Sequence, residues 1–440
     1  MPDTNTHRIA IPARESVATS DIPGVVCLVW RRGELLAVDA EGLRDIEAGL
    51  PMERSTIFRI ASMSKPVTTV AALILMERGV IRLEDPITKW APEFAEMSVL
   101  RRSDGPLTDT YPAPRVITIE DLMTHRSGLS YSFTATGPLS LALGEKFGFE
   151  IDATYTPDAW MRMLASFPLS FAPGERFRYG YSTDVLGYIV ARAMGMPLRQ
   201  AMQELVFEPL GMIDTDFWIP PQKRGRAAVL YRSAALGQFT RVDLPGFMDD
   251  NPPQHTAGGY GLVSTVDDYL NFARMLLQGG EFNGKRILKD ATIQLMTVNR
   301  LTPAQRKYPQ FGIPFFMAQG FGLGVSVIDD PKKHSWMGTG NRGTFGWPGL
   351  FGGWWQADPK EQMAMLWLQQ TLPAQAPAGG GAAAPRDSRL RQALMRWVFS
   401  SPPLMSMLSK MAQRSGKGPR LPGMVGTQNF QKETYAALKR

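Results

Sequence analysis

The chain carries one short motif whose residue types and spacing suit nucleophilic catalysis: Ser62-Met63-Ser64-Lys65, an S-x-x-K sequence beside an apolar stretch. Residues three positions apart share one face of a helix, so the Lys65 amine would reach the Ser62 hydroxyl. The positive potential at a helix N-terminus favours a serine alkoxide, and a desolvated lysine amine is able to accept the serine proton. S-x-x-K also arises by chance, in which case Ser62 is a helix cap and Lys65 a solvated residue.

Two later segments offer groups that would complete such a site. Pro173 to Ser182 reads PGERFRYGYS and places Tyr179 in a turn before an apolar helix. A tyrosine there would act as a base or carry a proton to the leaving group. Gly343 to Gly353 reads GTFGWPGLFGG, a predicted strand whose glycines let the backbone approach a ligand closely. Leu122 to Ser130 and His255 to Gly280 join these elements.

In order and spacing, these motifs resemble the serine beta-lactamase-like family, which includes class C beta-lactamases, DD-peptidases and family VIII carboxylesterases. The resemblance extends from about Ile22 to Gln370 and is greatest to the family VIII carboxylesterases. It implies Ser62 as the nucleophile and Lys65 as its activating partner. The P-G-x-x-F-x-Y spacing implies Tyr179 as the catalytic tyrosine, with Tyr181 as the alternative.

The same resemblance assigns the groups that bind the substrate. The backbone N–H groups of Ser62 and Leu350 would form the oxyanion hole. Trp347-Pro348-Gly349 stands in the place of the family's third motif, and His255 precedes a glycine pair at the expected edge of the cleft. Four residues are therefore expected to contact the substrate: Tyr181, Trp347, Gly349 and His255.

Two positions depart from the beta-lactamase and peptidase pattern. Trp347 replaces the lysine of the usual Lys-Thr-Gly motif, and Tyr181 replaces the asparagine of the second motif. Both changes weaken recognition of a charged beta-lactam or a D-alanyl-D-alanine peptide, and both are typical of the esterase branch. We therefore expect a neutral ester substrate.

The histidines indicate neither a metal centre nor another hydrolase type. The sequence has no G-x-S-x-G and no H-E-x-x-H, and its four histidines form no metal-binding cluster with other ligands. His125 is expected to fix a loop by hydrogen bonding. We expect no metal and no organic cofactor.

The elements around these motifs predict an α/β fold of two lobes. Residues 24–40 read as two strands around a turn at Arg31-Arg32-Gly33, and the apolar helix after the S-x-x-K motif ends at Gly79. A helix is predicted from about Thr265 to Leu277, and strands return between residues 321 and 370. Strands at both ends of the chain predict one antiparallel sheet of about five strands, flanked by the first and last helices. The mostly helical middle would form the second lobe, with the active site between the lobes.

Composition and pattern divide the chain further. The predicted hydrolase domain spans residues 22–385, after an N-terminal extension over residues 1–21. Its sheet lobe would comprise about 22–80 and 300–400, and its helical lobe about 81–299. The remaining predicted segments are a flexible loop at 373–387, a terminal helix at 388–400, and a poorly ordered basic tail at 401–440.

The net charge of +7 comes from the end of the chain. Arg386 to Arg440 contains eleven Lys or Arg and two acidic residues, whereas the first 385 residues hold 37 basic and 39 acidic. A nearly neutral body argues against nucleic-acid binding. Arg, Trp, Leu and Phe mix in the tail helix, which suits either an anionic membrane surface or packing on the sheet, and we favour packing.

The cysteine content and the lack of long apolar runs indicate the cellular compartment. The single cysteine, Cys27, excludes an internal disulfide framework and reads as a buried small residue of a strand. Neither an apolar leader nor an eighteen-residue apolar run is present, so we expect a cytoplasmic protein without a transmembrane segment. The sequence leaves the oligomeric state open.

Three functions remain in competition at this point. A carboxylesterase acting on short acyl esters is favoured over a beta-lactamase or a D-amino-acid peptidase or amidase, because the third-motif lysine is missing. A catalytically silent binding protein with this fold is disfavoured by the intact set of Ser62, Lys65 and Tyr179. A transesterase is not separated from an esterase by these residues.

Overall fold

The computed structural model describes residues 4–147, 155–244, 246–308, 310, 315–316, 318–333, 338–373 and 422–438. The predicted helix at 388–400 and all of the predicted flexible loop beyond Pro373 lie outside the described residues.

The helices and strands alternate irregularly along the described chain. The α-helices are α1 (Thr4–Ala18), α2 (Ser64–Glu77), α3 (Ile119–Met123), α4 (Gly137–Phe147), α5 (Pro157–Ala165), α6 (Ser182–Met194), α7 (Leu198–Met202), α8 (Glu208–Leu210), α9 (Val266–Leu277), α10 (Asp290–Met296), α11 (Pro303–Arg306) and α12 (Met424–Ala437). The strands are β1 (Gly24–Arg31), β2 (Glu34–Asp45), β3 (Leu50–Pro51), β4 (Phe58–Arg59), β5 (Ser98–Leu100), β6 (Thr110–Pro112), β7 (Tyr231–Ala235), β8 (Gln238–Arg241), β9 (Val263–Ser264), β10 (Glu281–Phe282), β11 (Lys285–Arg286), β12 (Gln319–Phe321), β13 (Ser326–Ile328), β14 (Phe345–Pro348), β15 (Trp354–Asp358), β16 (Met363–Gln369) and β17 (Thr371–Pro373).

One antiparallel sheet joins the two ends of the chain, as predicted. Its order is β12-β13-β14-β15-β16-β1-β2-β3. Strand β1 pairs on one side with β16, where Val25 lies opposite Gln369, and on the other side with β2. The predicted fold class is confirmed, but the expected number of about five strands is wrong, since the sheet has eight. Strands β3, β12 and β13 are only two or three residues long and too short to produce an alternating pattern in the sequence.

The predicted turns are present because residues with positive φ occupy them. Arg32 has φ +50° and Gly33 has φ +94°, which suits a tight hairpin between β1 and β2. Gly79, just beyond α2, has φ +74°, a left-handed conformation that costs glycine little and ends the helix.

Helices cover both faces of the sheet. Trp355 and Trp367 are both fully buried and lie on opposite faces, since Trp355 pairs with Leu366, the residue next to Trp367. The rings of Tyr269 and Phe272 from α9 contact Trp355. Placing residues 265–277 in the helical lobe was therefore wrong, because the apolar face of α9 packs on the sheet.

The other face is covered by α1 and α12, which also contact each other. The Phe430 ring of α12 lies 5.6 Å from the Trp367 ring, measured between centroids. The expectation of a poorly ordered tail is thus wrong for residues 424–437. The sequence of these residues shows no apolar helical pattern, because polar Gln431 and Thr434 lie on the buried face together with Phe430.

The middle of the chain forms the second lobe, in which α6 packs against α2. Nearly all of α2 and ten of the thirteen residues of α6 are buried. This region also contains short hairpins and the three-stranded sheet β17-β7-β8, so it is less uniformly helical than expected.

Two properties of the described residues bear on cellular context. Cys27 is buried and free, as predicted, and burial raises the pKa of its thiol. Among these residues, no helix combines the length and apolarity needed to cross a membrane.

Candidate active site

Ser62 stands in a tight turn between a strand and a helix. Strand β4 is followed by a 3₁₀ turn over Ala61–Met63, which runs directly into α2. Ala61 has φ +45°, a left-handed conformation that is costly for a residue with a Cβ atom. The Ser64 hydroxyl stabilises the turn by donating to the Ala61 carbonyl at 2.6 Å and accepting from the Leu262 N–H at 3.1 Å. The turn leaves Ser62 partly exposed at the start of α2.

Lys65 is completely buried, and its amine is held by three oxygen atoms. Its Nζ donates to Ser62 Oγ at 3.3 Å, to Tyr131 Oη at 3.1 Å and to the Gly259 carbonyl at 2.7 Å. The contact between Lys65 and Ser62 is the one that their spacing predicts. An ammonium has three donors, so this arrangement fixes the amine in one orientation.

Tyr131 and Asp184 belong to this group of side chains, although sequence reasoning missed both. The Tyr131 hydroxyl donates to Asp184 Oδ2 at 2.9 Å, and the Gly259 N–H donates to Asp184 Oδ1 at 2.8 Å. Tyr131 follows the Leu122 to Ser130 segment directly. The one sequence signal for Asp184 is a carboxylate within an otherwise apolar stretch at the start of α6.

Tyr179 faces Lys65 from the loop that precedes α6. The Lys65 Nζ lies 4.6 Å from the centroid of the Tyr179 ring. The Tyr179 Oη accepts a hydrogen bond from the indole Nε1 of Trp347 at 3.2 Å. The structure thus brings four sequence-predicted residues together, and Trp347 supplies a neutral N–H donor to the tyrosine.

His125 lies beneath Tyr179 and differs from expectation. Its ring is fully buried and lies 4.9 Å from the Tyr179 ring between centroids, with Phe177 and Phe321 also in contact. Neither ring nitrogen has a hydrogen-bond partner among the described residues. Within this part of the chain the His125 ring therefore makes no hydrogen bond and supports the loop by packing, whereas its backbone carbonyl does hold the loop by accepting from the Arg178 N–H at 2.8 Å. Burial, together with the positive charge of Lys65, lowers the pKa of His125 well below its usual value.

The glycine-rich segment after β14 approaches the nucleophile's turn closely. A Cβ atom on Gly349 would lie 2.5 Å from the Ile60 carbonyl oxygen, so only glycine fits without a shift. The Gly349 N–H donates to the Gly353 carbonyl at 2.7 Å. Leu350, the next residue, is 46% exposed. Its backbone N–H, with that of Ser62, remains the predicted oxyanion hole.

The other two predicted substrate contacts occupy less accessible positions. Tyr181 is 4% exposed, and its ring lies 4.4 Å from that of Tyr131, measured between centroids. His255 is 2% exposed, and its Nδ1 shares a hydrogen bond with the Tyr188 hydroxyl at 2.5 Å. A direct role of Tyr181 and His255 in binding substrate remains a prediction.

Burial dominates the electrostatics of the site. It raises the pKa of Asp184 to about 6, although the Lys65 charge and the hydrogen bonds from Gly259 and Tyr131 act in the opposite direction. Burial, together with the Asp184 charge, raises the pKa of Tyr131 well above its usual value. Tyr131 is therefore a neutral hydrogen-bond donor at physiological pH. Over the described residues, no three side chains of the His, Cys, Asp and Glu types form a potential metal site.

Comparison with known proteins identifies the family of the chain. A profile of the beta-lactamase family matches residues 13–387. Protein Rv1367c of Mycobacterium tuberculosis is 44% identical over 389 residues, which cover 88% of this chain and 95% of that protein. Esterase EstB of Burkholderia gladioli is 33% identical over 365 residues, covering 79% and 86% respectively.

Solved structures with a similar fold include a hydrolase and a simvastatin synthase. EstCE1, described as a hydrolase with promiscuous acyltransferase activity, has a TM-score of 0.70 at 28% identity, over 84% of this chain and 94% of that chain. The simvastatin synthase LovD of Aspergillus terreus shares the fold, with a TM-score of 0.72 at 24% identity over the full length of both chains. The chain therefore belongs to the beta-lactamase family, as a hydrolase of that fold with esterases among its relatives.

Proposed function

We propose that this protein is a serine carboxylesterase that cleaves short-chain, neutral carboxylic esters through an acyl-enzyme on Ser62. The observation that carries the proposal is the contact of the Ser62 hydroxyl with a fully buried lysine amine, beside Tyr179. A hydroxyl that touches a desolvated amine is poised to lose its proton on attack. The 33% identity to an esterase over most of the chain supports the same reaction class.

The proposed cycle uses only groups of this chain, the ester and water. The Ser62 Oγ attacks the ester carbonyl carbon while its proton passes to the Lys65 amine in its neutral form, and Tyr179 relays a proton to the leaving alcohol. The backbone N–H groups of Ser62 and Leu350 hold the oxyanion. Collapse of the tetrahedral intermediate breaks the ester C–O bond, and the alcohol leaves with the proton. Water then attacks the acyl-enzyme, releases the carboxylic acid and returns the proton to Ser62.

A neutral ester is favoured over a charged beta-lactam by the Trp347 side chain. The indole donates a hydrogen bond to Tyr179 and is 2% exposed, so it offers no positive charge to a substrate carboxylate. Cleavage of beta-lactams or of D-amino-acid amides is therefore the weaker alternative.

Acyl transfer to a second alcohol is a further candidate. Two relatives favour it: EstCE1, by its described promiscuous acyltransferase activity, and the monacolin J acid methylbutanoyltransferase of Aspergillus terreus, 29% identical over 391 residues. An acyl-enzyme on Ser62 would serve both reactions, since only the attacking group differs. Adding methanol to the assay and measuring methyl ester against free acid separates the two.

The first experiment compares wild type with Ser62→Ala on p-nitrophenyl butyrate and on a chromogenic cephalosporin. Loss of ester turnover by a factor of at least about 10³ is expected, because removing a nucleophile leaves only binding and the oxyanion hole. Ser55→Ala, which removes the hydroxyl of a serine before β4, is the matched control and should retain activity. A fluorophosphonate should label the wild type at Ser62, as read by mass spectrometry of the peptide.

Turnover that survives Ser62→Ala would remove Ser62 from the mechanism. Cephalosporin hydrolysis at a rate comparable to that of the ester would instead favour the beta-lactamase alternative. No Ser62-dependent turnover of either substrate, together with no labelling, would support the silent binding protein.

A further inference from the structure

Asp184 is a buried carboxylate that the catalytic cycle above does not use. It lies in the first turn of α6, where the helix N-terminus favours a negative charge, and its side chain is completely buried. Both of its oxygens are engaged, Oδ1 by the Gly259 N–H and Oδ2 by the Tyr131 hydroxyl. A buried carboxylate without such donors would be strongly disfavoured. These two hydrogen bonds therefore stabilise the charged form of Asp184.

The two partners of Asp184 are also two of the three acceptors of Lys65. Tyr131 Oη and the Gly259 carbonyl accept from Lys65 Nζ at 3.1 Å and 2.7 Å. Two separate connections therefore run from one carboxylate to one amine. The third acceptor is Ser62 Oγ.

The direction of the hydrogen bonds separates the two tyrosines near Lys65. Tyr131 donates its only proton to Asp184 and accepts from Lys65. It cannot act as a proton acceptor towards Ser62 while both bonds exist. Tyr179 accepts from the Trp347 indole and its ring lies 4.6 Å from the Lys65 amine, which favours Tyr179 for proton transfer.

We propose that Asp184 is a positioning residue: through Tyr131 and the Gly259 peptide it holds the Lys65 amine against Ser62 and keeps Tyr131 out of proton transfer. This inference rests on the proposed function, because its readout is turnover at Ser62. The hydrogen bonds of Asp184 go to Tyr131 and Gly259 rather than to Ser62.

The charge state of Asp184 follows from the groups that face it. One is the Lys65 cation, and the others are tyrosines on its own helix and on the neighbouring loops: Tyr131, Tyr181, Tyr188 and Tyr260. Burial raises the pKa of each of these tyrosines, so they remain neutral across the working range. The pKa of Asp184, raised by burial to about 6, therefore predicts loss of the carboxylate, and of kcat/KM, as the pH falls through about 6.

The test is the isosteric substitution Asp184→Asn. An amide has one oxygen for two donors, so either the Tyr131 or the Gly259 connection is lost. We expect kcat on p-nitrophenyl butyrate to fall about 100-fold, the scale for a misplaced catalytic group, with KM changed less than threefold. The acidic limb of kcat/KM near pH 6 should disappear in the variant.

Asp268 provides a matched control. It is also a buried aspartate whose pKa burial raises to about 6, and it also accepts one backbone N–H and one hydroxyl, from Asp214 and Thr215. These partners are not part of the site. Asp268→Asn should therefore keep kcat within about threefold and keep the acidic limb.

Equal kcat values and equal pH profiles for the two asparagine variants would overturn the inference. If Asp184→Asn fails to fold, Tyr131→Phe removes the same connection without a charge change, and a wild-type kcat in that variant would overturn it as well. Turnover that persists in Ser62→Ala would instead contradict the proposed function. A dead Ser62→Ala with an unaffected Asp184→Asn contradicts only this inference.

Discussion

At the scale of single residues, the proposed preference for neutral substrates depends on the group that donates to Tyr179. A third-motif lysine would supply a full positive charge, whereas Trp347 supplies an indole N–H at 3.2 Å. Hydrogen bonds between neutral groups are roughly half as strong as charge-assisted ones. Trp347 therefore orients Tyr179 without adding an anion-binding group.

Replacing Trp347 by Phe removes this hydrogen bond and keeps an aromatic ring of similar shape. We expect kcat on p-nitrophenyl butyrate to fall about threefold to tenfold, the equivalent of one neutral hydrogen bond. Trp218→Phe is the control, because Trp218 also donates through its indole, but to the Asp249 carbonyl outside the site. A Trp347→Phe rate equal to that of the control would mean that the indole N–H does not orient Tyr179.

At the scale of elements, the site depends on how closely two backbone segments approach each other. The turn after β14 lies against the residue that precedes the nucleophile's turn, with room for hydrogen but not for a methyl group on Gly349. The predicted oxyanion hole takes one N–H from each segment, Ser62 and Leu350. Its width is therefore determined by the contact between Gly349 and Ile60.

Gly349→Ala should widen this gap, because the new Cβ atom would meet the Ile60 oxygen at 2.5 Å. We expect kcat to fall by at least about tenfold, since loss of one oxyanion donor costs about 10² to 10³, while KM changes little. Steady-state kinetics of Gly349→Ala and Gly225→Ala check this, because a Cβ atom on Gly225 meets no atom within 4 Å. Full activity in Gly349→Ala would place the oxyanion hole elsewhere.

Local sequence patterns predict some of these elements and site residues, and not others. The contact between Ser62 and Lys65 is predictable because the two residues are three positions apart at the start of one helix. Strands β1 and β2 and helices α2 and α9 are predictable because each has its own apolar pattern and turn residues. Tyr131 and Asp184 meet only through the packing of two distant segments, which no local pattern records. Helix α12 was missed for a different reason, because polar Gln431 and Thr434 share its buried face with Phe430.

At the scale of the whole molecule, the buried site makes stability depend on pH. The folded-state pKa of Asp184 is about 6, above the ordinary 3.8 of an unfolded chain. A raised carboxyl pKa contributes stability that is fully present below about pH 4 and is lost as the pH rises through 6. The charged form needed for catalysis is therefore the less stable one.

Asp184→Asn removes this dependence. Between pH 4 and pH 7, the free energy of unfolding of the variant relative to wild type should rise by about 2 kcal/mol, since each pKa unit is worth about 1.4 kcal/mol and the unfolded carboxyl is already partly ionised at pH 4. Urea unfolding of both proteins at the two pH values measures the difference, in which other titrating groups cancel. A difference that is the same at both pH values would mean that Asp184 does not titrate as described.

The position of β1 also bears on how the protein is made. This strand lies inside the sheet, and its residue Val25 pairs with Gln369 of β16, so β1 is synthesised long before its partner. Until then one edge of an apolar strand, GVVCLVWR, has no partner, and unpaired apolar edges promote aggregation. Pairing of β1 with β16 therefore follows the synthesis of residues 24–369, and we expect chains that lack β16 to aggregate through the exposed edge of β1.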